Sequence, residues 1–316
     1  MITDRPTVQT VTGSVPAAAL GMTLPHEHVL CDFVGAALTD PSRWDADTVV
    51  AVMRPRLTEL VERGVRTFVD CTPAYLGRDP EILRRLAEGT GLIMITNTGY
   101  YGGADDAFVP RHAYDESDEQ LARRWITEAE QGIGDTGIRP GFVKTGVDEI
   151  TGAELSRIDA RLVRAAAITS VATGLAVTCH TGGGAAGLAA ARLFVDAGGD
   201  PARFVVAHSD GHGLEINRHV ADLGAWVSYD AVGRRDRDEH LRSVLALIEH
   251  RIDRVLLSHD SGWWNAGVAD GGEIAGYTAL VDDFLPALRA AGASREQVER
   301  LVVRNPADML VGLSAL

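Results

Sequence analysis

Ala176-Val177-Thr178-Cys179-His180, an amphipathic run over Ala185–Ala197, and then Phe204-Val205-Val206-Ala207-His208 form the stretch whose reading decides the fold. Two short, nearly continuous apolar runs joined by a segment of helical length read as parallel strands with a crossover helix, since strands covered on both faces lose polar alternation. Both runs end in histidine. Outward from this unit the same pattern repeats. Further strands are read at Val65–Asp70, Leu92–Asn97, Gly141–Gly146, Ala225–Asp230 and Arg254–Asp260. Helical spacing is read over Asp45–Arg63, Asp79–Glu88, Ser117–Gln131, Ala153–Thr173, Gly213–Leu223, Asp236–His250, Gly276–Ala291 and Ser294–Val303, with Pro55 predicted to kink or split the first of these.

An opening strand that carries Leu24-Pro25-His26-Glu27-His28-Val29-Leu30 brings the strand count to eight. Eight βα units in a chain of 316 residues predict the α/β class and a (β/α)8 TIM barrel, read as one domain over residues 1–316. Thr7–Val15 predicts a short extended or hairpin segment lying over one end. A doubly wound open sheet is the rival, but it calls for a Gly-rich phosphate turn after its first strand, and the sequence has none there. Thr98–Asp115 and Ser261–Gly272 are placed above the strand ends as functional loops.

The totals exclude several function classes. With 30 basic and 44 acidic side chains the formal charge is -14, which argues against nucleic acid as a partner. No apolar run approaches the ~18 to 20 residues needed to cross a bilayer, so no membrane partner is expected. Met1-Ile2-Thr3-Asp4-Arg5-Pro6 leads into no apolar h-region, which makes a cytoplasmic location the expectation. Cys31, Cys71 and Cys179 are widely spaced and odd in number, consistent with a reducing compartment rather than a disulfide scaffold.

What terminates the strands points to chemistry. His26 and His28, two apart on one strand, face the same side. Lys144 follows Phe142-Val143, while His180, His208 and Asp260 end their strands. Singly, each has an ordinary explanation: a hydrogen-bonded core histidine, an aspartate capping the next helix, or a lysine snorkelling at the core's edge. In a barrel these ends converge on one mouth, and four imidazoles, a carboxylate and an amine gathered there are hard to satisfy without metal. An ammonium would repel cations, but a lysine amine that has reacted with carbon dioxide becomes a carbamate able to bridge two of them. That reaction needs a neutral amine, which burial favours.

His-x-His on strand one, Lys on strand four, His on strands five and six and Asp on strand eight resemble the phosphotriesterase family of the amidohydrolase superfamily, which includes phosphotriesterase-like lactonases and phosphotriesterase homology proteins. Gly21-Met22-Thr23-Leu24-Pro25-His26-Glu27-His28, Gly141-Phe142-Val143-Lys144-Thr145-Gly146, Leu256-Leu257-Ser258-His259-Asp260 and Asn305-Pro306 resemble its sequence blocks, from about Val11 to Leu310. The resemblance implies two divalent ions, with zinc expected and manganese, cobalt or iron as alternatives. His26, His28 and Asp260 then hold the more buried ion and His180 and His208 the more exposed one. Carboxylated Lys144 and a hydroxide bridge the two, and Asp260 carries the nucleophile's proton. Glu27 points away from the ligands and is read as structural.

By the same resemblance, Tyr101 lines the substrate site, with Tyr100 beside it, and Trp263 and Trp264 wall the leaving-group side. After His208 the sequence Ser209-Asp210-Gly211-His212 departs from members that carry a further proton-relaying acid, leaving either Asp210 or His212 as a substitute or no relay at all. The implied activity is hydrolysis of a small-molecule ester, a lactone first. Phosphotriester or phosphodiester hydrolysis is the alternative, and a non-catalytic metal-binding barrel is the reading from another class. A homodimer is the assembly implied.

Overall fold

The computed structural model describes residues 6–150 and 154–312; the leader reading at Met1–Arg5 and the expected helix start at Ala153 fall outside them. Strands β1 (Thr7–Thr10) and β2 (Gly13–Pro16) form the antiparallel hairpin. The barrel strands that follow are β3 (Met22–Glu27), β5 (Val65–Asp70), β6 (Ile93–Ile95) with its continuation β7 (Asn97–Thr98), β8 (Phe142–Val147), β9 (Ala176–Thr181), β10 (Phe204–Val206), β11 (Trp226–Tyr229) and β12 (Val255–Leu257). All pair in parallel, in the order β3-β5-β6 and β7-β8-β9-β10-β11-β12. Thr96 interrupts the third strand, and its carbonyl accepts from Gly141 N at 2.9 Å. At the opposite seam Asp260 N donates to the His26 carbonyl at 3.0 Å and His28 N to that of Ser261 at 2.9 Å, so the two sheets are arcs of one ring. Two short strands at the mouth, β4 (Leu30–Cys31) and β13 (Trp264–Asn265), pair with each other.

Helices α1 (Ala46–Glu62), α2 (Pro80–Thr90), α4 (Asp118–Gln131), α5 (Arg157–Thr173), α6 (Gly184–Asp196), α7 (Gly213–Asp222) and α8 (Arg237–Glu249) cover the outside, α3 being one turn at His112–Asp115. Their starts are chemically marked. Asp45, Asp79, Ser117, Ser156 and Asp236 each cap a helix N-terminus, and Ser117 forms a reciprocal capping box with Gln120. Of the kink or split expected at Pro55, the split does not occur: the residue lies within a continuous α1.

The C-terminal helices are more broken than their periodicity suggests. A wide turn at Leu280–Phe284 precedes α9 (Leu285–Ala290), and another at Arg300–Arg304 joins α10 (Arg295–Glu299) to α11 (Asn305–Val311). Each wide turn runs directly into a segment with proline in its first turn, Pro286 or Pro306, where a backbone donor is missing and the helical ladder adjusts.

Val69, Ile95, Phe142, Val205, Trp226 and Leu256 fill the lower end of the ring, where Val8 and Leu20 from the hairpin region join them. The hairpin therefore seals the N-terminal end of the barrel. Functional groups are left to the C-terminal end, where loops rather than packed side chains meet the strands.

Candidate metal centre and active site

His26, His28, Lys144, His180, His208 and Asp260 all line one cavity of ≈ 160 Å³ at the C-terminal end of the ring. His26 lies in β3, with His28 just past its end. Lys144 is in β8 and His180 in β9. His208 and Asp260 lie beyond the strands expected to contain them: β10 stops at Val206 and β12 at Leu257. Both take left-handed backbone conformations, with φ 61° and 52°. A left-handed turn directs a strand-end side chain inward instead of onward, at a steric cost that a non-glycine residue bears only when its surroundings fix it.

The polar groups face one another closely. His28 Nε2 lies 3.0 Å from Asp260 Oδ1, and His26 Nε2 is 3.9 Å from the same oxygen. Lys144 Nζ stands 3.0 Å from His26 Nε2. Across the cavity, His208 Nε2 and His180 Nδ1 approach to 2.8 Å. Burial lowers the His28 pKa to about 4 and that of His208 to about 3, and it holds His180 well below the usual imidazole range. Burial alone would raise the Asp260 carboxyl, but the His28 hydrogen bond and the surrounding imidazoles hold it well below the ordinary carboxylate range. The neutral imidazoles of His28, His180 and His208 and the ionised Asp260 carboxylate are the protonation states that metal ligation requires. His26 differs: although burial acts to lower its pKa, Cys71 and the Asp230 carboxylate raise it to about 10, so a cation would have to displace its proton.

The outward-facing nitrogens of the first pair already have partners. His26 Nδ1 donates to Asp230 Oδ2 at 3.0 Å, and His28 Nδ1 shares a 2.8 Å hydrogen bond with Thr72 Oγ1. Their Nε2 atoms are therefore turned into the cavity. A His26–His28–Asp260 set places its donor atoms within 4.8 Å of one another, which fits a divalent cation, and the facing nitrogens of His180 and His208 offer a second place. Asp230 also accepts from the His208 backbone N at 3.0 Å, so one buried carboxylate orients both halves of the centre. The sequence reading gave Asp230 no role, although it ends the seventh strand much as Asp260 ends the eighth.

Aromatic rings form the wall. Trp263 stacks on His28 with ring centroids 3.9 Å apart, Phe33 stacks on Trp263 at 5.6 Å, and Tyr101 meets His180 edge-on at 4.8 Å. Phe33 and Phe108 also line the cavity, with Cys71, Pro73, Leu76 and Ala104, and carry no sequence motif that marks them. Tyr100 and Trp264 are elsewhere. Tyr100 is buried, hydrogen-bonded to His112 Nε2 at 2.9 Å and packed edge-on against Trp125. Trp264 is buried behind the mouth, where β13 pairs with β4.

The relay candidates lie off the centre as well. Asp210 pairs with Arg235 at 3.0 Å, and His212 Nε2 shares a 3.3 Å hydrogen bond with Thr181 Oγ1. Asp260 is met from the solvent side by Arg234 instead, whose Nη2 donates to Oδ2 at 2.6 Å.

The chain is similar to known proteins over nearly its whole length. The sequence model of the phosphotriesterase family matches residues 6–310. A phosphotriesterase homology protein of Escherichia coli is 31% identical over 294 residues, covering 91% of this chain and 97% of that one. A phospho-furanose lactonase of Mycoplasmopsis agalactiae is 25% identical over 331 residues, with coverage of 96% and 91%. Among solved structures, a mutant of the organophosphorus hydrolase from Deinococcus radiodurans superposes with a TM-score of 0.86 at 33% identity, covering 97% of this chain and 98% of that one.

Proposed function

The chain belongs to the phosphotriesterase family, and from that premise we propose a binuclear metal hydrolase whose preferred substrate is a carboxylic ester, a lactone first. Family membership makes it a hydrolase rather than a non-catalytic metal-binding barrel. The observation that carries the substrate reading is the small cavity with its aromatic wall. Such a slot suits a planar carbonyl carrying two groups besides its oxygen better than a tetrahedral phosphorus centre carrying three besides its own. Phosphoester hydrolysis is retained as a second activity because the similar solved structure is an organophosphorus hydrolase.

In this reading His26, His28 and Asp260 hold one ion and His180 and His208 the other, with zinc the expected metal. Lys144 lies between the two sets. Its Nζ, 3.0 Å from His26 Nε2, would bond the carbon of carbon dioxide and release a proton, and the carbamate so formed would supply anionic oxygen donors to the ions. When bound, the two ions supply Lewis acidity, making a hydroxide nucleophile available near neutral pH and polarising the oxygen of the group under attack. Asp260 holds the nucleophile's proton at Oδ1 and passes it toward the leaving group. Trp263, Phe33 and Phe108 exclude water around an apolar substituent, and Tyr101 borders the His180 side. The three cysteines are free and buried, which supports a cytoplasmic setting. The assembly proposed is a homodimer, to be sized by light scattering.

The test is a panel of lactones and phosphoesters assayed on protein reconstituted with zinc, manganese, cobalt or iron, with a crystal structure showing the density at Lys144. Lactone turnover exceeding phosphoester turnover, with a carbamate present, is the expected result. Phosphoester turnover with inert lactones would overturn the substrate choice, and an unmodified Lys144 beside a single ion would overturn the binuclear centre.

A further inference from the structure

Glu27 lies between two metal-ligand histidines on the opposite face of β3, fully buried, and its surroundings are unusual for a structural acid. Its carboxylate accepts four hydrogen bonds, all from residues 258–261. Ser258 Oγ donates to Oε1 at 2.8 Å, His259 N to Oε1 at 3.0 Å, His259 Nδ1 to Oε1 at 2.6 Å, and Ser261 N to Oε2 at 3.0 Å. The direction of each bond is fixed. Leu280 N can only donate, so His259 Nε2 accepts from it at 2.9 Å and the ring proton sits on Nδ1, facing Glu27. Ser258 Oγ accepts from His26 N at 3.0 Å and so spends its own proton on Glu27.

These donors flank Asp260 on both sides, and Asp260 is the residue in the left-handed conformation at φ 52°. An aspartate there is disfavoured unless its neighbours are fixed, and the backbone N–H groups immediately before and after it are both fixed by one carboxylate. We propose that Glu27 is a positioning residue: by holding 258–261 from the back of β3 it sets the orientation of Asp260 relative to His26 and His28, coupling the first and last strands of the ring at the metal centre. This rests on the reading of His26, His28 and Asp260 as ligands.

Glu27→Gln tests it. The amide keeps the volume but turns a donor toward a site that already holds four donors, so at least one of these bonds is lost. Metal content is read by elemental analysis and affinity by zinc titration in competition with a chelator. Kinetic constants are measured on the folded, metal-saturated variant. The expected result is a kcat lowered at least tenfold with KM changed less than threefold, and weakened affinity for one of the two zinc ions with the other unaffected. A variant with a lower melting temperature but unchanged kcat and zinc affinity would show Glu27 to be a fold element only and overturn the proposal.

If Glu27→Gln does not fold, Ser258→Ala and His259→Gln each remove one donor and should give smaller losses in the same two readouts; two unaffected variants would equally overturn it. Failure of the wild-type protein to bind zinc at all sinks the metal reading itself. Zinc binding by the wild type without lactone turnover sinks only the substrate choice, with the affinity comparison still deciding on Glu27.

Discussion

Arg234 donates to Asp260 Oδ2, while the other oxygen of that carboxylate, Oδ1, faces His28. The guanidinium therefore restrains the carboxylate without blocking its inner oxygen. Because the Arg234 side chain is 43% exposed, solvent screening reduces this charge-assisted bond to about 1 kcal/mol, or about fivefold in rate. Arg234→Gln should lower kcat by about that factor while metal content measured by elemental analysis stays at the wild-type value. Wild-type turnover in the variant would remove Arg234 from the mechanism.

Asp260→Asn keeps an oxygen ligand and loses the base. Most of the bound metal should remain, and turnover should fall by roughly 10²-fold or more, the usual scale for removing a general base. Parallel metal analysis and steady-state kinetics separate the two effects.

Asp230 supports His26 and the His208 backbone from behind without entering the cavity lining. Asp230→Asn turns a carboxylate into an amide at the His26 Nδ1 bond, and loss of such a partner typically weakens metal binding by about 10- to 100-fold. Zinc competition titration should show that loss. Unchanged affinity would mean the ring is held by packing alone.

Phe33 is half-exposed at the rim and stacks on Trp263. Phe33→Ala should raise KM for esters bearing an apolar substituent, leave kcat within about threefold, and spare esters with none, the signature of lost uniform binding. An equal effect on both substrate sets would place Phe33 outside the substrate path.

Asp159 is buried at the start of α5, and its Oδ1 has no hydrogen-bond partner among the described residues. Burial raises its pKa from 3.8 to about 7. The folded protein then binds a proton there that the unfolded chain has released. Its stabilising contribution is complete below pH ~4 and lost as pH rises to about 7. Asp159→Asn should remove this dependence, so its melting temperature relative to wild type should increase between pH 4 and 7 and level off above. A constant difference across that range would count against a titrating Asp159.

Six polar groups of the cavity are legible in the sequence because each interrupts or closes an apolar run, and a ring of parallel strands brings all such ends to one side. Asp230 obeys the same rule, closing the Ala225–Asp230 run, but no sequence block singles it out. Its partners, His26 and His208, are joined to it only by the curvature of the ring, which no local pattern records. Tyr100-Tyr101 and Trp263-Trp264 show a second limit. Tyr101 and Trp263 face the cavity while Tyr100 and Trp264 face the interior, with Trp263 in a left-handed turn at φ 68°, and nothing in an aromatic doublet says which member turns inward. The left-handed turns at His208 and Asp260 were hidden for a different reason: a histidine or aspartate at a strand end carries no glycine-like mark of its backbone angle.

The hairpin covers the N-terminal end of the ring, so among the described residues the lined approach to the centre is at the C-terminal end, beside Phe33, Phe108 and Trp263. On the proposed binuclear reading, ions and substrate would reach the centre past that same aromatic rim, so assembly of the catalyst and its turnover would share one approach. Loading must come first, and whatever sits in the doorway stands guard over the ions behind it.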